Sequence, residues 1–304
     1  MEFRTGYKSD EKLRKSLARL AEQTFGIDLE TWYLNGFWQD DYIPYSMTED
    51  DSVISNVSVN ICNIRWKKKI RHLAQLGTVM TDSKYRGKGY ASDLIKRASA
   101  DCLKSFEGIY LYAEECNVPF YEKLGFKRIE EYQCRKQVNI TNSTSAEKIP
   151  MDSGEDWDRM VDIIQRRGQY GDKIMVGNTG LFMFYLAGQF SDCVYYVPSA
   201  EAYVVAGVEG ETLTVYAVFS DGRVSLGDII SSFGSGIKQV IMAFCPENNS
   251  GFELRKIESE ESVLLARGEL FENSGMKGLC FPRYRGREKN QIGYGGLIQY
   301  MVCY

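Results

Sequence analysis

Histidine is almost missing: His72 is the only one in 304 residues, and no Cys-x-x-Cys pair accompanies it. Zinc is held by clustered nitrogen and sulfur ligands, so a metal site is not expected. The eight cysteines, Cys62, Cys102, Cys116, Cys134, Cys193, Cys245, Cys280 and Cys303, stand far apart. That pattern fits reduced thiols of a cytoplasmic protein rather than a disulfide framework. No apolar run reaches the roughly 20 residues that span a bilayer, and Met1 to Gly6 holds no apolar signal core. Neither a membrane partner nor export is expected. Basic excess is lacking too. With 37 Lys and Arg against 41 Asp and Glu the chain carries −4, which sets nucleic acid aside as a partner. What is present is globular: 44% hydrophobic and 26% charged residues, in a length that suits two domains.

The stretch from Gln75 to Phe126 organises the rest. A strand-like run, Leu76 to Thr81, leads into Arg86-Gly87-Lys88-Gly89-Tyr90-Ala91. An amphipathic helix follows, with Ala91, Leu94, Ile95, Ala98, Cys102 and Phe106 on one face. Then come a short apolar strand, Ile109 to Ala113, and Phe120-Tyr121-Glu122-Lys123-Leu124-Gly125-Phe126. Gly87 and Gly89 lack a Cβ and let backbone approach a ligand closely. A helix N-terminus offers unpaired amides at the positive end of its dipole, which suits a pyrophosphate. Arg86 and Lys88 add full charges, although a strand-to-helix turn with solvated charges would read the same way. A P-loop is excluded, because four residues between glycines followed by Gly-Lys-Ser/Thr are absent. A Rossmann fingerprint wants a third glycine where Ser92 stands, with Glu114 as a stand-in for the ribose-binding acid. A nicotinamide-binding oxidoreductase therefore stays open on these residues.

Two segments together resemble the GNAT acyltransferases, which use acetyl-CoA. The family's acyl-CoA loop reads Gln/Arg-x-x-Gly-x-Gly/Ala, matched by Arg86 to Ala91; its next motif ends Phe-Tyr-x-Lys-x-Gly-Phe, matched by Phe120 to Phe126. The resemblance implies an α+β GNAT fold, with a mixed, mostly antiparallel central sheet flanked by helices. It implies that backbone at Val79, Met80 and Thr81 pairs with the pantetheine arm. Arg86, Gly87, Lys88, Gly89, Tyr90 and Ala91 would hold the pyrophosphate, and Asn117 and Phe120 would also contact the cofactor. Tyr121 would sit beside the thioester sulfur as the acid for the departing thiolate, since an unperturbed phenol, with a pKa of about 10, is close to a thiol. Many members carry Asn seven residues before that tyrosine; this chain has Glu114 there, and its nearest asparagine is Asn117.

Around this centre, residues 2 to 7 read as a strand and Asp10 to Phe25 as a helix stopped by Gly26. The segment Trp32 to Tyr45 is dense in aromatics with Asp40 and Asp41 at its end. By resemblance it would line the acceptor pocket and suit a cationic amine; as plain aromatics, its rings would pack the first helices onto the sheet. Val53 to Ile61 alternates like a half-buried strand. The basic run Arg65 to His72 reads as a solvated hairpin tip or as a seat for the CoA 3′-phosphate, and His72 is expected to be structural. Residues 127 to 138 read as a closing strand, and the polar segment 140–149 as a linker.

The expected division is a GNAT acetyltransferase domain over 1–139 and a degenerate GNAT-like domain over 150–304. In the second, hairpin, turn, helix and strand repeat the order of the first. Its turn, Ser220-Asp221-Gly222-Arg223, lacks Gly-x-Gly and sets an acid where a phosphate would lie. Ser274 to Gly278 and Arg283 to Arg287 read as loops. The expected reaction is direct attack of a small-molecule or peptide amine on acetyl-CoA, in a monomer whose halves mimic a dimer. The base stays unassigned among Asp82, Glu114 and a C-terminal carboxylate at Tyr304. The competing expectation is a non-catalytic acyl-CoA sensor or an interaction scaffold on the same fold.

Overall fold

The computed structural model describes residues 1–257 and 262–273 of the chain. The loops expected at Ser274 to Gly278 and Arg283 to Arg287, and the carboxylate of Tyr304, lie outside the described residues. The first half runs β1 (Glu2–Thr5), α1 (Glu11–Phe25), α2 (Leu29–Leu34), β2 (Tyr42–Glu49), β3 (Ser52–Trp66), β4 (Lys69–Thr81), α3 (Tyr90–Cys102), β5 (Gly108–Ala113), α4 (Val118–Glu122), β6 (Lys127–Arg128) and β7 (Tyr132–Gln137). The second runs β8 (Glu147–Lys148), α5 (Gly154–Arg166), β9 (Gly168–Gln169), β10 (Ile174–Val176), α6 (Thr179–Leu186), β11 (Val194–Val197), β12 (Ala202–Glu209) and β13 (Thr212–Ser220). It closes with α7 (Leu226–Ser231), β14 (Gln239–Met242), β15 (Glu253–Lys256), β16 (Val263–Arg267) and α8 (Glu269–Asn273).

Local chemistry accounts for the helices that matter. Asp10 Oδ1 accepts from Leu13 N to cap α1, which ends where Gly26 takes φ 64°. Its Leu13, Leu17, Leu20 and Ala21 are buried. In α3, Leu94, Ile95, Ala98 and Cys102 form the buried face, as the spacing predicts. Phe106 falls beyond the helix, because Glu107 N donates to His72 O at 2.8 Å and draws the chain into β5 beside β4.

Among the described residues two sheets of eight strands result, with orders β1-β2-β3-β4-β5-β16-β6 and β15-β7-β14-β13-β12-β11-β8; β10 adds to the first and β9 to the second. Every strand pair among the described residues is antiparallel except β4–β5 and β13–β14, so the α+β, mostly antiparallel expectation holds. The closing strand expected over 127–138 does not form as one piece. Residues 127–128 stay at the edge of the first sheet, while β7 crosses to the second and pairs with β14 and β15. In return β16 inserts between β5 and β6. Each sheet is thus completed by a strand from the far side of the chain.

Burial corrects two further expectations. Ser55, Asn56 and Ser58 on β3 are 0% exposed, so the polar alternation there marks an internal stripe and not a solvent face. The rings of Trp32, Phe37, Trp38 and Tyr42 are buried too. Trp32 Nε1 donates to Gly180 O at 2.9 Å, and its ring meets Phe184 edge-on at 5.6 Å. Phe37 packs on Trp157, and a Cβ on Gly180 would lie 2.2 Å from Phe37 O. These aromatics pack the first half against α5 and α6 and form no open acceptor wall.

Candidate active site

β4 and β5 pair only from Leu73/Gly108 to Gln75/Tyr110, yet β4 continues to Thr81 and β5 to Ala113. Past Gln75 the two strands part and, among the described residues, leave one edge of β4 without a strand neighbour. On its other edge, β4 carries a bulge: Asn56 faces Met80 and Ser58 faces Gly77, so Thr78 and Val79 both oppose Val57. Thr78 there has φ 43°, which is unusual for a β-branched residue. The bulge shifts the strand's phase. Ala74 and Leu76 pack against α3, as does Val79, whereas Met80 faces the α1 side with Leu73. Val79, Met80 and Thr81 are all buried, so the backbone along the parted edge is what they offer a ligand.

The glycine-rich turn follows directly. Gly87 and Gly89 take φ 74° and 84°, and a Cβ on either would meet nothing within 4 Å. Gly89 is the N-cap of α3 and has no side chain with which to cap it, so among the described residues the first turn lacks a side-chain cap. Arg86, Gly87, Lys88 and Gly89 are exposed; Tyr90 and Ala91 are half-buried. Arg86 Nε donates to Thr81 O at 3.2 Å, tying the turn to the end of β4, and Lys88 Nζ rests 4.8 Å from the Tyr85 ring centre. Asp82 is occupied as a cap, its Oδ1 accepting from Lys84 N.

α4 reaches the same place from β5. Tyr121 is 0% exposed, with its ring edge-on to Phe120 and Phe126 at 5.1 and 6.1 Å. Val79, Leu94, Ala113 and Tyr121 share one apolar cluster, against which Ala91 and Phe120 pack. The structure therefore gathers the end of β4, the start of α3 and α4 around the parted strands. Asn117 is buried on the turn before α4, and Glu114, at the end of β5, is half-buried and accepts from Cys116 Sγ at 3.5 Å. His72 lies apart on the hairpin arm, its Nδ1 2.8 Å from Asn63 Oδ1. Lys67 and Lys68 form that arm's tip, both at positive φ.

Sequence reasoning missed the α1-side face of the bulge. There Asn56, Ser58, Tyr42 and Thr78 form a buried hydrogen-bonded set. Its signal was available as polar residues recurring every second position of an otherwise apolar strand. Nearby, burial pushes the Cys62 thiol up to about 12, which makes it a poor nucleophile. Burial, with Asp40 adding to it, also raises the half-buried carboxyl of Asp41. Among the described residues no cluster of His, Cys, Asp and Glu is suited to a metal, and no helix is long and apolar enough to cross a membrane.

The second half repeats the unit without the opening. β13 and β14 pair in parallel and β13 runs on past the pairing to Ser220, with an extra residue, Tyr216, at its own bulge. The helix N-terminus there is closed: Ser225 Oγ accepts from Asp228 N, and Asp221 pairs with Arg167 at 3.4 Å.

A family of acetyltransferase (GNAT) domains matches residues 14–129. Among solved structures, the chain is similar to a conserved protein of Enterococcus faecalis V583 described as a probable N-acyltransferase. The TM-score is 0.56 at 14% identity, over 88% of this chain and 73% of that one. It is similar to a GCN5-related N-acetyltransferase from Kribbella flavida, with a TM-score of 0.51 at 15% identity over 88% and 71% of the two chains. Eis1 from Mycobacterium abscessus gives 0.52 at 9% identity over 87% and 73%. At these identities the likeness is one of fold. No curated protein sequence matches the chain. The matched residues, 14–129, are those that carry the glycine turn, the parted strands and α4, so it is this part of the chain that resembles a GNAT acetyltransferase domain.

Proposed function

We propose that this protein is an acetyl-CoA-dependent N-acyltransferase in which an amine attacks the thioester directly, within a ternary complex. The observation that carries this reading is the parted edge of β4 running into the uncapped N-terminus of α3. An extended pantetheine arm can pair with the free backbone edge as an added strand does. Its pyrophosphate then meets the first-turn amides, Arg86 and Lys88. Val79, Met80 and Thr81 supply the edge, Gly87 to Ala91 the phosphate seat, and Asn117 and Phe120 the flank. A backbone amide at the bulge stabilises the charge that develops on the thioester oxygen, and Tyr121 protonates the leaving thiolate. The acceptor is an amine, small or peptidic. We read 1–139 and 150–304 as two GNAT-like units about a 140–149 linker, in a cytoplasmic monomer.

Calorimetric titration with acetyl-CoA, with NAD as control, tests the reading. About one site per chain for acetyl-CoA and none for NAD is expected; the reverse would make the protein an oxidoreductase. A second reading, an acyl-CoA sensor, is favoured by Glu114 in place of the usual asparagine. Tyr121→Phe separates the two. An acyltransferase loses turnover by about a hundredfold or more while retaining CoA affinity. A sensor turns over nothing before or after the change.

A further inference from the structure

Thr78 is a buried β-branched residue in the left-handed region, a setting that persists only where the surroundings impose it. Asn56 imposes it. Asn56 Nδ2 donates to Thr78 O at 2.9 Å and to Ser58 Oγ at 2.9 Å, which uses both of its protons. Its Oδ1 accepts from Ser46 Oγ at 2.7 Å. Because a peptide carbonyl only accepts, the amide cannot be turned over without setting lone pair against lone pair. The proton count then fixes the rest. Ser46 has spent its proton, so Tyr7 donates to it across 2.6 Å. Ser58 donates to Tyr42 OH at 2.7 Å, so Tyr42 donates to Thr78 Oγ1 across 2.9 Å. Burial raises the pKa of both phenols, so both remain donors at ordinary pH. The set thus grips Thr78 at its carbonyl and its hydroxyl.

No peptide bond among the described residues is cis, so the Thr78 carbonyl and the Val79 N–H point in opposite directions across one plane. Asn56 belongs to β3 and draws the carbonyl toward that strand. The Val79 N–H is thereby sent the other way, to the side on which β4 has parted from β5. Packing alone asks for none of this. In the second sheet the equivalent hairpin is built around buried Val204, Ala206, Val215 and Val218, and its extra residue, Tyr216, keeps a negative φ.

We propose that Asn56 is a positioning residue: it locks the Thr78–Val79 peptide so that the Val79 N–H faces the cleft and polarises the thioester carbonyl of a bound acyl-CoA. This rests on the acyltransferase reading above. The test needs no acceptor. Carbon-13 spectra of [1-13C]acetyl-CoA bound to the full chain report how strongly the carbonyl is hydrogen-bonded. In the wild type the bound resonance lies downfield of the free one. Asn56→Ala loses most of that displacement while acetyl-CoA still binds, a split that a merely structural residue would not give. Asn56→Asp loses it as well, having no proton for Thr78 O, whereas Ser58→Ala keeps it. If Asn56→Ala fails to fold, Asn56→Asp and Thr78→Gly decide the matter: glycine accepts the left-handed setting freely and retains the displacement. A full displacement in Asn56→Ala or Asn56→Asp overturns the proposal. So does a wild type that binds acetyl-CoA without any displacement. A wild type that does not bind acetyl-CoA overturns the acyltransferase reading, and this proposal falls with it.

Discussion

The hairpin, turn, helix and strand occur twice, as β3–β4–α3–β5 and as β12–β13–α7–β14, and both copies have a bulge and a parallel pair that stops short. They differ in what they leave open. α3 has 13 residues behind an uncapped glycine, whereas α7 has 6 behind a serine that caps it. The first sheet buries Asn56, Ser58 and Tyr42 at its bulge, and the second buries aliphatic side chains. The fold therefore requires neither the open helix end nor the buried polar set. The features that break local rules in one copy and obey them in the other are the ones on which the proposed binding and chemistry rest.

The comparison breaks most completely if the copies can be separated. A chain ending at residue 139 would leave β5 without β16 and β7 without β14, exposing unpaired edges. It is expected to be insoluble or unfolded by circular dichroism, and co-expression of the remainder should restore a folded complex. A soluble, cooperatively melting fragment would show that the exchange is dispensable. A smaller effect distinguishes the two helix ends. With open space around Gly89, Gly89→Ala meets only the backbone cost of a left-handed residue, about 1–2 kcal/mol. Acetyl-CoA affinity by calorimetry should fall about tenfold as a result. Ser225→Ala, its counterpart, should leave that affinity unchanged and cost about 1 kcal/mol of stability in urea titration. The smallest effect concerns charge on the polar face. Burial raises the Asp41 carboxyl above its ordinary 3.8, so the folded chain binds protons more readily than the unfolded one. Its contribution to stability then falls as pH rises through that window. Asp41→Asn should melt slightly higher than wild type at pH 7, and the gap should close below pH 3.8.

The glycine turn was legible because its residues announce themselves: glycines in an exposed turn have few purposes, and Phe120 to Phe126 reads as a short helix and its stop. The α1 and α3 helices followed from periodicity and stop signals, and the mostly antiparallel sheet from the family resemblance. The polar stripe on β3 was misread, since alternation looks the same whether the polar side chains meet water or each other. Thr78 gave no warning, because threonine is a strand former and not a residue that favours positive φ. The aromatic segment was equally consistent with a pocket wall and with core until Gly180 and Phe184 were seen against it. The buried α6, Thr-Gly-Leu-Phe-Met-Phe-Tyr-Leu, is apolar on all sides and shows no periodicity to read. The strand exchange is invisible to local reasoning: β7 is an ordinary strand, and only its partner is unexpected.

That exchange also sets an order of events during synthesis. β5 emerges early, but β16, the strand that covers it, lies about 150 residues later in the chain. At roughly 5–20 residues per second, the sheet that carries the parted edge of β4 would stay unfinished for about 8–30 s after β5 leaves the ribosome. The first sheet is thus expected to be completed late, and later than the order of its own motifs would suggest. Conditions that slow elongation would lengthen the interval in which the apolar strands around β5 must be kept from other chains.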